Sequence, residues 1–244
     1  TSINPASHAP ISIMGDHRHK AGEWMVSWRT MQMTMSGLKR GSDDIDEQTL
    51  VTEVPNVHGM PPMQRVAPRE MTSTMHMLGM MYAPNDDLTL MAMFNWHDKQ
   101  MTLQSYQGMM GATPLGEFET SSAGLGDTQL GLLYGVNNIG PLDTHLNFSI
   151  SLPTGSLKED DVVLTPMNTT PTRRLPYGMQ LGSGTVDLKP GITTRYSDGD
   201  WAFGGQLMAT LRLGTNGEGY RLGNQLNLEA WAQYRLHEST SISL

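Results

Sequence analysis

Between Leu88 and His97 the chain alternates without interruption. Leu88, Leu90, Ala92, Phe94 and Trp96 fall on one parity, and Thr89, Met91, Met93, Asn95 and His97 on the other. A period of two is the signature of a strand with two unlike faces. The same form returns with Leu146, Phe148, Ile150 and Leu152 against His145, Asn147, Ser149 and Ser151. Val186, Leu188, Pro190 and Ile192 oppose Asp187, Lys189, Gly191, Thr193 and Arg195. Trp201, Phe203, Leu207, Ala209, Leu211 and Leu213 oppose Gly204, Gln206, Met208, Thr210 and Arg212, and Leu228, Ala230, Ala232 and Tyr234 oppose Asn227, Glu229, Gln233 and Arg235. The pattern predicts strands over residues 23–36, 71–83, 88–101, 124–136, 143–152, 181–196, 201–213 and 225–236, with Thr240 opening a ninth.

Two features choose among all-β architectures. The strands are about 9–14 residues long, enough to cross a bilayer at a tilt, whereas strands of soluble domains average about 5–6. Trp24, Trp28, Tyr82, Trp96, Tyr134, Tyr196, Trp201 and Tyr234 lie near the ends of the apolar parity, as amphipathic rings do at a membrane boundary. The connections also alternate. Short turns at Pro84-Asn85-Asp86-Asp87, Asn137-Asn138-Ile139-Gly140-Pro141, Ser197-Asp198-Gly199-Asp200 and around His237-Glu238-Ser239 are separated by long segments at 37–70, 102–123 and 154–180, and a shorter one at 214–224. Short turns on one rim and long loops on the other are expected of an antiparallel up-and-down transmembrane β-barrel. Residues 1–21 then form an N-terminal periplasmic or plug segment, and 22–244 the barrel. Such barrels close with an even number of strands, so further strands are expected after the ninth; the alternative is an eight-stranded barrel with a short tail.

Composition narrows the function. With 16 basic and 24 acidic side chains the formal charge is −8, which leaves no cationic surplus for nucleic acid. The absence of Cys removes disulfides, thiolate nucleophiles and Cys-based metal sites. Mean hydropathy is −0.35, compatible with a barrel because only alternate residues face lipid. No Gly-x-Ser-x-Gly elbow is present, and Gly182-Ser183-Gly184 is followed by no helical pattern, so neither a hydrolase nucleophile nor a phosphate loop is expected. The protein reads as a non-enzyme whose partners are outer-membrane lipid, lipopolysaccharide and a small-molecule or metal solute.

The polar parity supplies the candidate pore lining: Met91, Met93, Asn95, His97, Asp127, Gln129, His145, Asn147, Asp187, Lys189, Arg195, Gln206, Arg212, Glu229 and Arg235. Charges of both signs within a span need partners or a wet lumen, and no ion selectivity follows from the mixture. The 20 methionines are not scattered. Met31, Met33 and Met35 share a parity, as do Met75, Met77 and Met81, while Met91 and Met93 lie with His97. This arrangement is either barrel filling or a soft, polarisable lumen. In Asp16-His17-Arg18-His19-Lys20, His17 and His19 project alike on an extended chain. With Met14 and nearby His8 they are candidate ligands for Cu or Zn; no other cofactor is implied.

Ordered motifs carry a resemblance. Gly15-Asp16-His17-Arg18-His19-Lys20-Ala21-Gly22-Glu23-Trp24-Met25, Met81-Tyr82-Ala83-Pro84, Gly124-Leu125-Gly126-Asp127, Leu152-Pro153-Thr154-Gly155 and Leu175-Pro176-Tyr177-Gly178-Met179-Gln180-Leu181-Gly182 make the chain similar to the outer-membrane "MetA-pathway of phenol degradation" family, often labelled transporters. The resemblance implies a signal-directed outer-membrane barrel of about twelve strands in a Gram-negative bacterium, serving as a channel for small molecules, without catalytic residues. It does not imply phenolic substrates for this chain. A closing strand with a terminal aromatic residue, usual for such barrels, is not found before Leu244. A different expectation is a plugged structural or interaction barrel, with the N-terminal segment and loop 37–70 filling the lumen.

Overall fold

The computed structural model describes residues 9–10, 13–57, 60–237 and 240–243. Its elements are β1 (Trp24–Ser36), a small hairpin of β2 (Leu38–Arg40) and β3 (Asp43–Ile45), helix α1 (Glu47–Glu53), β4 (Val66–Asn85), β5 (Leu88–Tyr106), β6 (Pro114–Leu125), β7 (Thr128–Ile139), β8 (Leu142–Leu152), a second small hairpin of β9 (Asp160–Val162) and β10 (Thr172–Arg174), β11 (Val186–Asp198), β12 (Trp201–Leu213), β13 (Gln225–His237) and β14 (Thr240–Ser243). The fold is all-β. One antiparallel sheet, ordered β1-β4-β5-β7-β8-β11-β12-β13-β14, is curled into a half-barrel. Among the described residues β1 pairs with β4 and β14 with β13, and the two outer edges do not meet. Thr240–Ser243 pairs as a strand, as the ninth-strand reading expects and the eight-stranded alternative does not.

The strands corresponding to 71–83 and 88–101 are longer than the alternation alone indicates, because β4 and β5 continue past the apolar zone as a hairpin. The 19-residue β5 has too long an edge for one partner. It pairs with β7 over Leu88–Met93 and with β6 over Trp96–Tyr106. The expected single strand at 124–136 is therefore two, broken at Gly126-Asp127. There the Gly126 amide donates to Asn95 O (2.8 Å) and Asn95 Nδ2 to Asp127 O (3.2 Å). The expected loop 102–123 is largely β-structure for the same reason. Likewise the strand expected from residue 181 begins at Val186, its first five positions belonging to an inturned loop.

Burial is inverted relative to a water-soluble sheet. Thr89, Asp187 and Thr193 are wholly buried and His145 nearly so, while Trp24, Trp28 and Leu228 are 69%, 67% and 78% exposed. Outward residues of β11, from Tyr196 through Ile192 and Leu188 to Val186, span ten positions. At about 3.4 Å each and a tilt of about 40° this gives an apolar band of about 25 Å. Ring pairs stand at the short-turn rim, Trp24 on Tyr82 with centroids 4.4 Å apart and Trp201 on Tyr234 at 4.6 Å.

The described residues of loop 37–65 do not turn inward. Its helix, capped by Asp46, whose carboxylate accepts from the Thr49 amide at 2.7 Å, packs Val51 against Ala67 and Tyr106. Ala67 is paired with Gln104, on the parity of Phe94 and Trp96. The loop thus clads the outward side of the β4–β5 extension rather than the concave face on which a plug is expected.

Candidate functional site

The cross-strand register assembles the polar parity into tiers. One runs Met93, Gln129, Ser151, Asp187, Arg212; a second Leu133, Asn147, Gly191, Met208, Asn227; a third Gly135, His145, Thr193, Gln206, Glu229. Directly opposed residues share a face and touch. Lys189 Nζ donates to Gln129 Oε1 (2.9 Å) and Gln129 Nε2 to Ser149 Oγ (3.0 Å), while Gln206 Nε2 donates to Thr193 Oγ1 (2.9 Å), which donates to Asn147 Oδ1 (2.9 Å). Arg212 pairs with Asp187. A cavity of about 350 Å³ is bounded by Met91, Met93, Asn95, Gln129, Asn147, Lys189, Gln206 and Glu229. A second, of about 460 Å³, is bounded by Asn95, His97, Asp127, Gln129, Lys189 and Arg212. The remaining candidates lie elsewhere. His145 holds the N-terminal segment, Arg195 bonds Ser197 near the rim (3.2 Å) and Arg235 pairs with Asp200 in a short turn (2.6 Å).

The N-terminal segment closes one side of the smaller cavity. Gly15 O accepts from His145 Nε2 (2.9 Å) and Asn147 Nδ2 (3.0 Å), and Met14 O from Gln206 Nε2 (3.0 Å). Gly15 has φ +65° and lies so close to Leu133 and Asn147 that a side chain would have to displace them, which suits glycine at this turn. Arg18 anchors the segment to the short-turn rim through Asp86 O (2.8 Å) and Asp143 Oδ1 (2.9 Å), its guanidinium occupying the space a side chain on Gly135 would fill. Asp16 is buried and accepts from His17 Nδ1 and the Ala9 amide, both at 2.8 Å. Burial would raise its pKa, but the His17 bond and charge outweigh this and hold the carboxyl below its ordinary range. Burial and the neighbouring His17 push His19 down, against an opposing pull from Glu23.

The expected ligand trio divides. His17 and His19 do come together, ring centroids 4.9 Å apart. However, His17 and Met14 border a small void beside β1, β4 and β5, while His19 borders the opening at the rim with Arg18, Lys20 and Asp143. Among the described residues no group of three or more His, Asp or Glu could hold a metal ion. His8 lies outside the described residues.

The opposite side is narrowed by the segment between β8 and β11. Lys99 Nζ donates to Gly178 O (2.9 Å) and Gln180 O (2.6 Å), and Ser122 Oγ to Met179 O (2.6 Å). Asp127 accepts from the Gly155 amide (3.0 Å), the Ser183 amide (2.8 Å) and Ser183 Oγ (2.7 Å). Leu181 fits against Gly124, where a side chain would collide with it. Asn216, from the β12–β13 loop, donates to Ser183 O (3.2 Å). Lys99, which shares the parity of His97, and Trp231, an inward aromatic, belong to this interior as well, although neither is among the candidate lining residues. Arg18 carries no sequence signal for its role, because its partners are distant in the chain.

An antiparallel, barrel-type sheet with an oily outer face, a polar inner face and segments turned into its interior defines the class of protein. Within that class the chain belongs to the family described as "Putative MetA-pathway of phenol degradation", which matches residues 91–243, or 153 of the 244 positions. The match begins at Met91, so the N-terminal segment, β1 and β4 lie before it. No curated protein matches the chain.

Proposed function

We propose that the protein is an outer-membrane channel for small solutes. The observation that carries this reading is the inversion of burial. Charged and amide side chains fill the concave face and Trp, Leu and Phe cover the convex one, a distribution stable only where the outer solvent is lipid. The family membership and the two polar cavities support it. The solute passes between the N-terminal segment and the loop pinned by Lys99 and Asp127, along a wall of amides, hydroxyls and methionines. Cation and anion discrimination would depend on the Asp187–Arg212 pair and on Lys189 and Glu229. Because both sides of the lumen are obstructed, a second reading is a sealed structural barrel. Planar-bilayer conductance of the full-length protein separates the two. The channel reading expects discrete single-channel steps, and a larger conductance once residues 9–17 are deleted. Silence from both proteins, with native folding shown by heat-modifiable gel migration, would overturn it in favour of the sealed barrel.

A further inference from the structure

We propose that the small void between the N-terminal segment and strands β1, β4 and β5 is a binding site for one soft monovalent cation, Cu(I) or Ag(I). Its walls include Met14, Met25, Met81, Met91, Met93 and His17. The register explains the convergence. Met25 faces Met81 across β1 and β4, Met81 faces Met91 across β4 and β5, and in the next tier Met93 faces Gly79. Opposed side chains of an antiparallel pair start about 4.5–5.5 Å apart at Cβ, and the three rotatable bonds of methionine let their sulfurs turn to a common point. Glycine makes the room, since Met91 packs where Gly131 lacks a side chain.

The void measures about 20 Å³, the size for a single water or bare ion and far too small for an organic solute. Thioethers with one imidazole form a donor set that selects Cu(I) or Ag(I) over Zn(II), which prefers thiolate, imidazole or carboxylate. Nearby formal charge is balanced. Arg29, also in the wall, donates to Met14 Sδ, which leaves Met25, Met81, Met91 and Met93 as the thioether donors, and the Asp16 carboxylate in the same wall is bound to His17, so a single positive charge is tolerated better than two. A purely space-filling role would be served as well by leucine, which supplies the means of telling the two apart.

The same inward face continues as Met31 opposite Met75, and Met35 opposite Met71, itself opposite Met101, while Met77 and Met208 border the neighbouring cavity of about 350 Å³. A soft ion therefore has further thioethers to move to. That movement rests on the channel reading; the binding site does not.

The test uses the full-length protein in detergent, titrated with silver nitrate and, under reductant, with Cu(I) against a chromophoric Cu(I) chelator. Zn(II) is the control ion. Wild type is compared with M81L/M91L/M93L and with M110L/M167L, whose methionines are exposed in loops. Met-to-Leu changes conserve volume and are among the best tolerated in packed sites; M91L alone serves if the triple variant does not fold. The proposal expects one Ag(I) per wild-type chain, an X-ray absorption spectrum dominated by sulfur neighbours, and no comparable Zn(II) binding. It expects affinity to fall at least tenfold in the triple variant, or at least threefold in M91L, and to be unchanged in M110L/M167L. Equal affinity in wild type and the wall variants, or no binding by wild type, would overturn it. A wild type that conducts in bilayers without binding Ag(I) removes only this site, and one that binds without conducting removes only the channel.

Discussion

At the scale of single residues, the inner wall is fitted by pairing glycine with a large neighbour across the strands. Gly204 faces Trp231, and a side chain on Gly204 would sit 2.1 Å from the indole ring, whereas one on Gly205, on the opposite parity, would meet nothing nearer than 3.7 Å. Overfilling a packed site costs about 1–3 kcal/mol. Gly204→Ala is therefore expected to destabilise the protein by that order and Gly205→Ala to leave it nearly unchanged, measured by thermal unfolding in detergent. The alternation of β12 and β13 makes both parities legible in the sequence. Which glycine opposes which aromatic residue depends on register, which alternation leaves free by steps of two.

At the scale of elements, the N-terminal segment is held by hydrogen bonds and charge more than by apolar burial, which makes it sensitive to pH. His19 is shifted down, so its folded state favours the neutral ring. Its stabilising contribution is complete above the ordinary imidazole pKa of about 6.5 and is lost as pH falls below that value. Asp16 is also shifted down. Its contribution is complete above the ordinary carboxyl pKa of about 3.9 and disappears as pH falls through the lower folded value. Acid should therefore loosen the segment in two steps, read as falling hydrogen-exchange protection factors, the intrinsic pH dependence of exchange divided out, at the Ala9 and His19 amides. His19→Gln should abolish the first step and Asp16→Asn the second. Protection factors at these amides that do not change from pH 7 to pH 3 would contradict this account. The opposite loop is held differently, by the half-buried carboxylate of Asp127 and the ammonium of Lys99. The sequence marks Asp127 as a candidate but gives no sign that its partners would be backbone amides of the loop.

At the scale of the molecule, the exposed aromatic residues report on the surrounding solvent. Trp24, Trp28, Trp96 and Trp201 are 47–69% exposed on the outer face, while Trp231 is 4% exposed inside. In vesicles of lipids brominated on the acyl chain, single-tryptophan variants retaining one of the outer four should be quenched, and one retaining Trp231 should not. Equal quenching of all five, or of none, would argue against a lipid-facing convex surface.

What the sequence determined by itself is the part written in a local period. Alternation at every second residue assigns the two faces of β5, β8, β11, β12 and β13, places the aromatic residues at the rims, and separates short turns from long connections, because each depends only on neighbours along the chain. The tertiary structure alone decided what occupies the interior. Lys99 meets Gly178 and Gln180 across 79 and 81 positions, and Gln206 meets Met14 across 192. Single carbonyls and amides find such partners only after the sheet has curled. For the same reason loop 37–65 lies outside rather than within, β6 branches from β5, and Met14 and His17 join the strand methionines while His19 turns to the rim. A periodic pattern specifies which way a side chain points, but a docked loop is specified by the unpaired polar groups awaiting it on a wall that does not exist until the chain has folded.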